Sequence, residues 1–166
     1  MSNCNPVSTP LIPGKRLQPA IPEKLVKFKE LGVNFRSAIG FINYLRTATR
    51  PDLSYAVSTL SQFLERPGMS HWKSFLHIIK YLRGTQNTGL VYWHGNQEGL
   101  KAYSDANWGN CNETHSSISG YLTLLNGNLV LWKTKKKPLV SISTAEAEYK
   151  AVYNLVSELL WLCQWS

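Results

Sequence analysis

Two acids frame the chemistry open to this chain. Asp105 closes the short alternating run Leu100 to Ser104 and stands where a strand is expected to end. Glu148 lies in S-T-A-E-A-E-Y-K-A-V, where helical spacing puts Ala151, Val152 and Leu155 beside it. A carboxylate at a strand end and another in the first turns of a helix crossing the same sheet could share Mg²⁺. That ion takes oxygen ligands from one or two carboxylates and leaves positions for water and substrate phosphates. Two such ions activate water and stabilise the leaving oxygen in phosphodiester cleavage. Each acid also has a plain structural role available. Asp105 precedes Asn107 and Gly109 and suits an Asx turn, and Glu148 can turn to solvent. Glu146 is already explained: it stands three residues after Ser143 in a capping box and four before Lys150 in a surface pair.

The elements that must carry these acids are legible in outline. Residues 1–22 hold five prolines and read as an extended, poorly ordered arm. Three helical patterns follow. The first is F-R-S-A-I-G-F-I-N-Y-L-R-T-A-T at 35–49, with Phe35, Ile39, Ile42 and Leu45 at helical spacing. The second starts after Thr49, with Pro51 and Asp52 suited to a first turn, a face of Leu53, Ala56, Val57, Leu60, Phe63 and Leu64, and a stop at Pro67-Gly68. In the third, Ser70 is the expected cap and Trp72, Phe75, Leu76, Ile79 and Leu82 the buried stripe. His71 and His77, six apart, are poorly spaced to share a metal and read as surface or core histidines.

Beyond residue 88 the pattern turns to strands. G-L-V-Y-W-H (89–94) and 99–105 each read as one, and two apolar runs within 119–133 flank Asn126-Gly127, a strong hairpin turn signal. T-K-K-K-P (134–138) reads as a basic loop and L-V-S-I-S (139–143) as extended chain. A long helix follows Ser143.

Composition sets the partners. The chain has 166 residues and a formal net charge of +8. Residues 1–95 carry 12 Lys/Arg against 4 Asp/Glu, whereas residues 96–166 carry 6 of each. A basic first half points to a polyanion, most simply nucleic acid. Cys4, Cys111 and Cys163 show no paired spacing, so neither a zinc site nor a disulfide framework is implied, and a reducing compartment fits. No apolar run is long enough to span a membrane and the N-terminus lacks an apolar signal core, so an intracellular location, cytoplasmic or nuclear, is expected.

The stretch from Tyr103 to Leu162 closely resembles the ribonuclease H domain of copia-type retrotransposon polyproteins. The specific parts are Y-S-D-A-x-W, S-x-S-G-Y, W-x-x-K-K and S-x-A-E-A-E-Y. Upstream, N-P-V-S-T-P, T-R-P-D-L-S-Y-A-V-S-T-L-S-Q-F and H-W-K-S-F-L-H-I-I-K-Y-L-R-G-T resemble the segment joining polymerase to ribonuclease H in those polyproteins. The resemblance implies a mixed sheet flanked by helices, with carboxylates holding two Mg²⁺, that cleaves the RNA strand of an RNA–DNA hybrid. Asp105 and Glu148 match the strand acid and the helix acid, as catalytic and metal-binding residues. The family's next acid follows this helix at the end of a fourth strand. Ser166 comes first, so the remaining strands, helices and acids, and the polymerase palm, are expected to be missing and the two-metal site impaired.

The expected fold is therefore α+β: an extended arm (1–22), a helical connection segment (23–95) and an incomplete ribonuclease H-like mixed sheet of three strands plus a long helix (96–166). The expected function is that of a remnant that binds RNA–DNA hybrid with little or no hydrolysis, with Lys133, Lys135, Lys136 and Lys137 as phosphate contacts. The alternatives are an active nuclease completed by dimerisation or another chain, and a non-enzymatic interaction module. The latter would use Leu155, Leu159, Leu160, Trp161 and Leu162 of the last helix for self-association or a protein partner.

Overall fold

The computed structural model describes residues 4–15, 17–94, 98–107, 116–140 and 143–164. They form two units, Met1–Gly89 and Leu90–Ser166.

The first unit is helical. Helix α1 (Pro22–Lys29) starts on a proline whose missing N–H costs nothing in a first turn, and it buries one side chain, Phe28. It is too short and too charged to show a stripe in the sequence, and it was not among the three expected helices. Helix α2 (Phe35–Ala48) is capped by Asn34, whose side chain accepts from the Ser37 N–H at 3.0 Å, and it buries Phe35, Ile39 and Ile42. The expected second helix is shorter than its pattern. A 3₁₀ turn, Pro51–Leu53, leads into α3 (Ser54–Ser61). Leu53, Ala56, Val57 and Leu60 are buried as expected, while Phe63 and Leu64, beyond the helix end, are half-buried.

Helix α4 (Met69–Gly84) differs from expectation at its start and in its face. Its cap is Gly68, whose N–H donates to His71 Nδ1 at 2.9 Å. The buried residues are His71, Ser74, Phe75 and Ile78, so the stripe is rotated by about one residue. The reason is a second contact that periodicity cannot show: the arm packs along α4. Lys15 Nζ donates to Ser74 Oγ at 3.3 Å, and Arg83 Nη1 donates to the Cys4 carbonyl. A Cβ on Gly84 would stand 2.9 Å from Pro6 Cβ, and one on Gly68 2.9 Å from Ala20 Cβ. Glycine at both ends of α4 lets the arm lie close. The described residues of 4–20 thus have no helix or strand, yet Leu11 and Leu17 join the core that also receives Trp72, Leu76, Ile79 and Leu82.

His71 is fully buried and stacks on Phe63, with ring centroids 4.3 Å apart. Burial pushes its imidazole below the usual histidine range. The Gln18 backbone pulls the other way, and Lys15 adds to the lowering. The cap to Gly68 also needs Nδ1 unprotonated. The unfolded chain then takes up the proton more readily than the folded one. Stability of the first unit is expected to be full above about pH 6.5 and to decline as pH falls below it. Thermal melts followed through Trp72 check this, and a flat midpoint between about pH 7 and pH 5 contradicts it.

The second unit is a three-stranded sheet in the order β1-β2-β3 with one helix. The strands are β1 (Leu100–Asn107), β2 (Ser116–Leu125) and β3 (Asn128–Val140). Both pairings are antiparallel, so among the described residues the sheet is not mixed. The hairpin turn falls at the expected place. Asn126 (φ 51°) and Gly127 (φ 77°) are both left-handed, the conformation of a type I′ turn whose twist matches the strands.

Two strand expectations change. Residues 89–94 are not a strand; the segment is tied beside β3 by Asn128, which exchanges hydrogen bonds with the Trp93 backbone (2.7 and 3.0 Å), and by Tyr92 Oη to the Leu129 carbonyl. The expected basic loop 134–138 is instead the continuation of β3, with Lys135 opposite Ser119 and Lys136 opposite Ile118. An edge strand tolerates lysines and a proline that a central strand would not. Of the extended segment 139–143, residues 141–142 lie outside the described residues.

Helix α5 (Thr144–Cys163) is capped by Ser143, whose hydroxyl accepts from the Glu146 N–H at 3.1 Å. The Glu146 carboxylate accepts from Lys150, the expected i,i+4 pair. α5 packs on β1 and β2 through Ala147, Ala151 and Leu155. No helix among the described residues is long and apolar enough to cross a membrane.

Candidate functional site

The faces of the sheet decide where the acids stand. Tyr121 of β2 donates from its hydroxyl to Glu158 Oε1 of α5 at 2.8 Å, which marks the Tyr121 face as the one under the helix. Ser104 is directly opposite Tyr121 in the register, so it shares that face. Asp105, one residue on, leaves the sheet on the other face. Burial follows the same alternation: Ala102, Ser104 and Ala106 are half-buried, and Lys101, Tyr103 and Asp105 are exposed.

Glu148 is exposed as well, on the flank of the stripe Ala147, Ala151 and Leu155. Ala151 and Leu155 are its buried neighbours as the spacing predicts, whereas Val152 faces out. The structure therefore brings the two elements together and leaves both carboxylates in water. Asp105 stands on the sheet face away from α5, so the two side chains are not brought together.

The donor set can be tested against Mg²⁺. Hard, exposed oxygens suit the ion. Among the described residues, however, no three His, Cys, Asp or Glu side chains are grouped as metal ligands. Two carboxylates suffice for one ion that keeps most of its waters and falls short of the set that balances two.

The acid that the sheet engages is Glu158, which the sequence reading passed over. It accepts from Tyr121 and, at 3.0 Å, from Lys133 Nζ. The Tyr121 hydrogen bond and then that of Lys133 hold its carboxyl below the usual range, against a smaller desolvation effect. Tyr121 is pushed well above the ordinary phenol range, first by burial and then by Glu158. The signal in the sequence was faint: Glu158 follows Ala151 by seven residues, in register with the buried stripe, and a charge there needs a partner.

This pair also changes the reading of the lysines. Lys133 is spoken for by Glu158, and Lys135 is exposed. The side chains of Lys136 and Lys137 lie outside the described residues. Lys101 and Lys150 are paired with Glu98 and Glu146. The second unit is thus internally balanced. All of the net +8 belongs to residues 1–89, where Lys24, Lys27, Lys29, Arg36, Arg66, Lys73 and Lys80 are exposed.

A different kind of cluster stands in the first unit. Arg50 is buried, and its guanidinium grips Asp52 through Nε (3.0 Å) and Nη2 (2.8 Å). It also donates to the Thr85 carbonyl (3.0 Å) and hydroxyl (2.7 Å) at the end of α4. Tyr81 donates to Asp52 Oδ2 at 2.9 Å, and its ring lies under the guanidinium. Burial alone would raise the Asp52 carboxyl, but the hydrogen bonds from Arg50 and Tyr81 outweigh it and hold the group below the usual range. R-P-D-L thus ties the start of α3 to the end of α4. Its role is in the fold.

The chain is 39% identical over 163 residues to a retrovirus-related Pol polyprotein from transposon RE1 of Arabidopsis thaliana, covering 98% of this chain and 11% of that protein. It is 37% identical over 166 residues to the corresponding polyprotein from transposon TNT 1-94 of Nicotiana tabacum, covering 98% and 12%. It is 42% identical over 130 residues to a secreted RxLR effector protein of Plasmopara viticola, covering 78% of this chain and 92% of that protein. No family model and no solved structure matches. The chain spans about a ninth of the length of the polyproteins it matches. Over 98% of its length the chain is therefore similar to a short segment of retrovirus-related Pol polyproteins of transposons.

Proposed function

We propose that the chain is a remnant of a retrotransposon reverse transcriptase/ribonuclease H that binds nucleic acid, RNA–DNA hybrid in particular, with little or no hydrolysis of the RNA strand. The observation that carries the reading is the segregation of charge. The first unit carries the whole net +8, with Lys24, Lys27, Lys29, Arg36, Arg66, Lys73 and Lys80 exposed, while the second unit is neutral and pairs Lys101, Lys133 and Lys150 with its own glutamates. Phosphate contacts release counterions, so binding should weaken steeply with salt. Weak hydrolysis is proposed because, among the described residues, no three acidic, His or Cys side chains are grouped as metal ligands. On this reading Asp105 and Glu148, matched by resemblance to the strand acid and the helix acid, each offer an exposed carboxylate to Mg²⁺, and Lys135 is the exposed lysine of the second unit that would reach a phosphate.

The test is anisotropy titration of a labelled RNA–DNA hybrid across a salt series. The logarithm of affinity should fall linearly with that of salt. Lys73→Ala with Lys80→Ala should make the slope shallower by about 0.9 for each lysine that contacts phosphate. Asp105→Asn should leave affinity unchanged, and Mg²⁺ should produce no cleavage above background. Salt-independent binding, or cleavage that disappears in Asp105→Asn, would sink the reading.

A second reading has its own support. The relative that this chain covers almost completely is named a secreted effector, and α5 keeps Tyr149, Val152, Tyr153, Val156, Leu160 and Trp161 exposed. On that reading the chain is a non-enzymatic interaction module. Failure to bind hybrid at low salt by a folded sample would favour it.

A further inference from the structure

The geometry points to a second copy of this chain as the partner of the outer face of α5. The helix is apolar on two sides. Ala147, Ala151, Leu155 and Glu158 face the sheet, and at 100° per residue Tyr149, Tyr153, Val156 and Leu160 lie about half a turn away. These outer residues, continued by Cys163, repeat with spacings of four, three, four and three. That is the seam of a two-helix coiled coil, in which each side chain fits a hole between four of the facing helix. Val152 widens the stripe. Tyr149 is 83% exposed and Tyr153 72%, too much apolar surface for a helix facing only water.

Three observations favour a second copy. The first is area. The exposed parts of Tyr149, Val152, Tyr153, Val156 and Leu160 on two chains come to roughly 1,100 Å², against about 1,000 Å² for a specific interface. The second is self-complementarity: a 4-3-4-3 stripe is what a 4-3-4-3 stripe packs against, around a twofold axis. The third is charge. Of the charges bordering the stripe, Glu146 and Lys150 on one side are paired within the helix and Glu148 is exposed on the other, and residues 90–166 carry 6 cations and 6 anions. Two copies meeting here bring no net charge together, and the repulsive +8 belongs to the other unit.

Sedimentation equilibrium of the full chain tests this. The expected mass at micromolar concentration is twice 18.8 kDa, and Tyr153→Glu with Val156→Glu should weaken self-association about a hundredfold with an unchanged circular dichroism spectrum. Should that variant lose its helical signal, Tyr149→Ser with Leu160→Ser gives the same readout by a milder change. A monomeric wild type overturns the proposal, as does a dimer that survives substitution in a folded variant. Hybrid binding is not needed for either outcome, so the proposal stands or falls separately from the function above.

Discussion

Asp52→Ala is expected to lower the stability of the first unit by about 3–5 kcal/mol, because it strands the buried Arg50 guanidinium without its counter-charge. Tyr81 would lose its acceptor in the same step. The Thr85 carbonyl and hydroxyl cannot balance the charge alone. Arg50→Lys should cost less but still be destabilising, since an ammonium cannot span Asp52 and Thr85 as the planar fork does. The readout is the Trp72 signal in urea, compared with a signal from the sheet. A pH series sharpens the test. The folded carboxyl of Asp52 lies below its unfolded value, so the contribution is complete above that value and is lost as pH falls through the folded one. In Asp52→Ala that part of the acid dependence should vanish. Loss of less than about 1 kcal/mol would mean that the cluster is a surface ion pair, which is worth little.

The second large effect is expected at Ala151. It is 1% exposed, between α5 and the strands. Ala151→Glu puts an unpaired carboxylate into that contact, at a cost on the order of 3–5 kcal/mol, enough to free the helix. The sheet should then lose its cooperative transition while the first unit keeps its own. Tyr149→Glu, two residues earlier and facing out, should leave the monomer fold intact. Equal damage from both would show that α5 does not rest on the sheet through the Ala147, Ala151 and Leu155 face.

How much of this could be read beforehand divides along physical lines. Local signals succeeded. Asn126-Gly127 demands left-handed backbone at two successive residues, and only one common hairpin turn supplies it. Ser143 and Pro51 set helix starts through their own side chains. Signals that depend on a distant partner failed. The face of α4 turned because the arm, far away in sequence, covers its flank. Residues 134–138 read as a loop because charge and proline speak for solvent, and an edge strand is in solvent too. Residues 89–94 carried a strand's composition, but the chain docks them through the side chain of Asn128 instead of a ladder. Of the candidate site, residue types and elements were legible in Asp105 and Glu148. That α5 would give Glu158 to Tyr121 and Lys133 was not, because it depends on how two strands and a helix stack.

The arm along α4 has a consequence for how the first unit assembles. Its anchors join Cys4 to Arg83 and Pro6 to Gly84, so docking the arm closes almost the whole unit into one loop. Loop closure must be met before such distant contacts reward it, and chains dominated by them fold slowly. The helices are local and should form early. The arm should dock last and leave first, so amide hydrogens on the arm-covered flank should exchange faster than those facing Leu60 and Ile78. In a chain emerging from the ribosome the order is reversed: the arm appears first and must wait, unpartnered, until the last turn of α4 has been made.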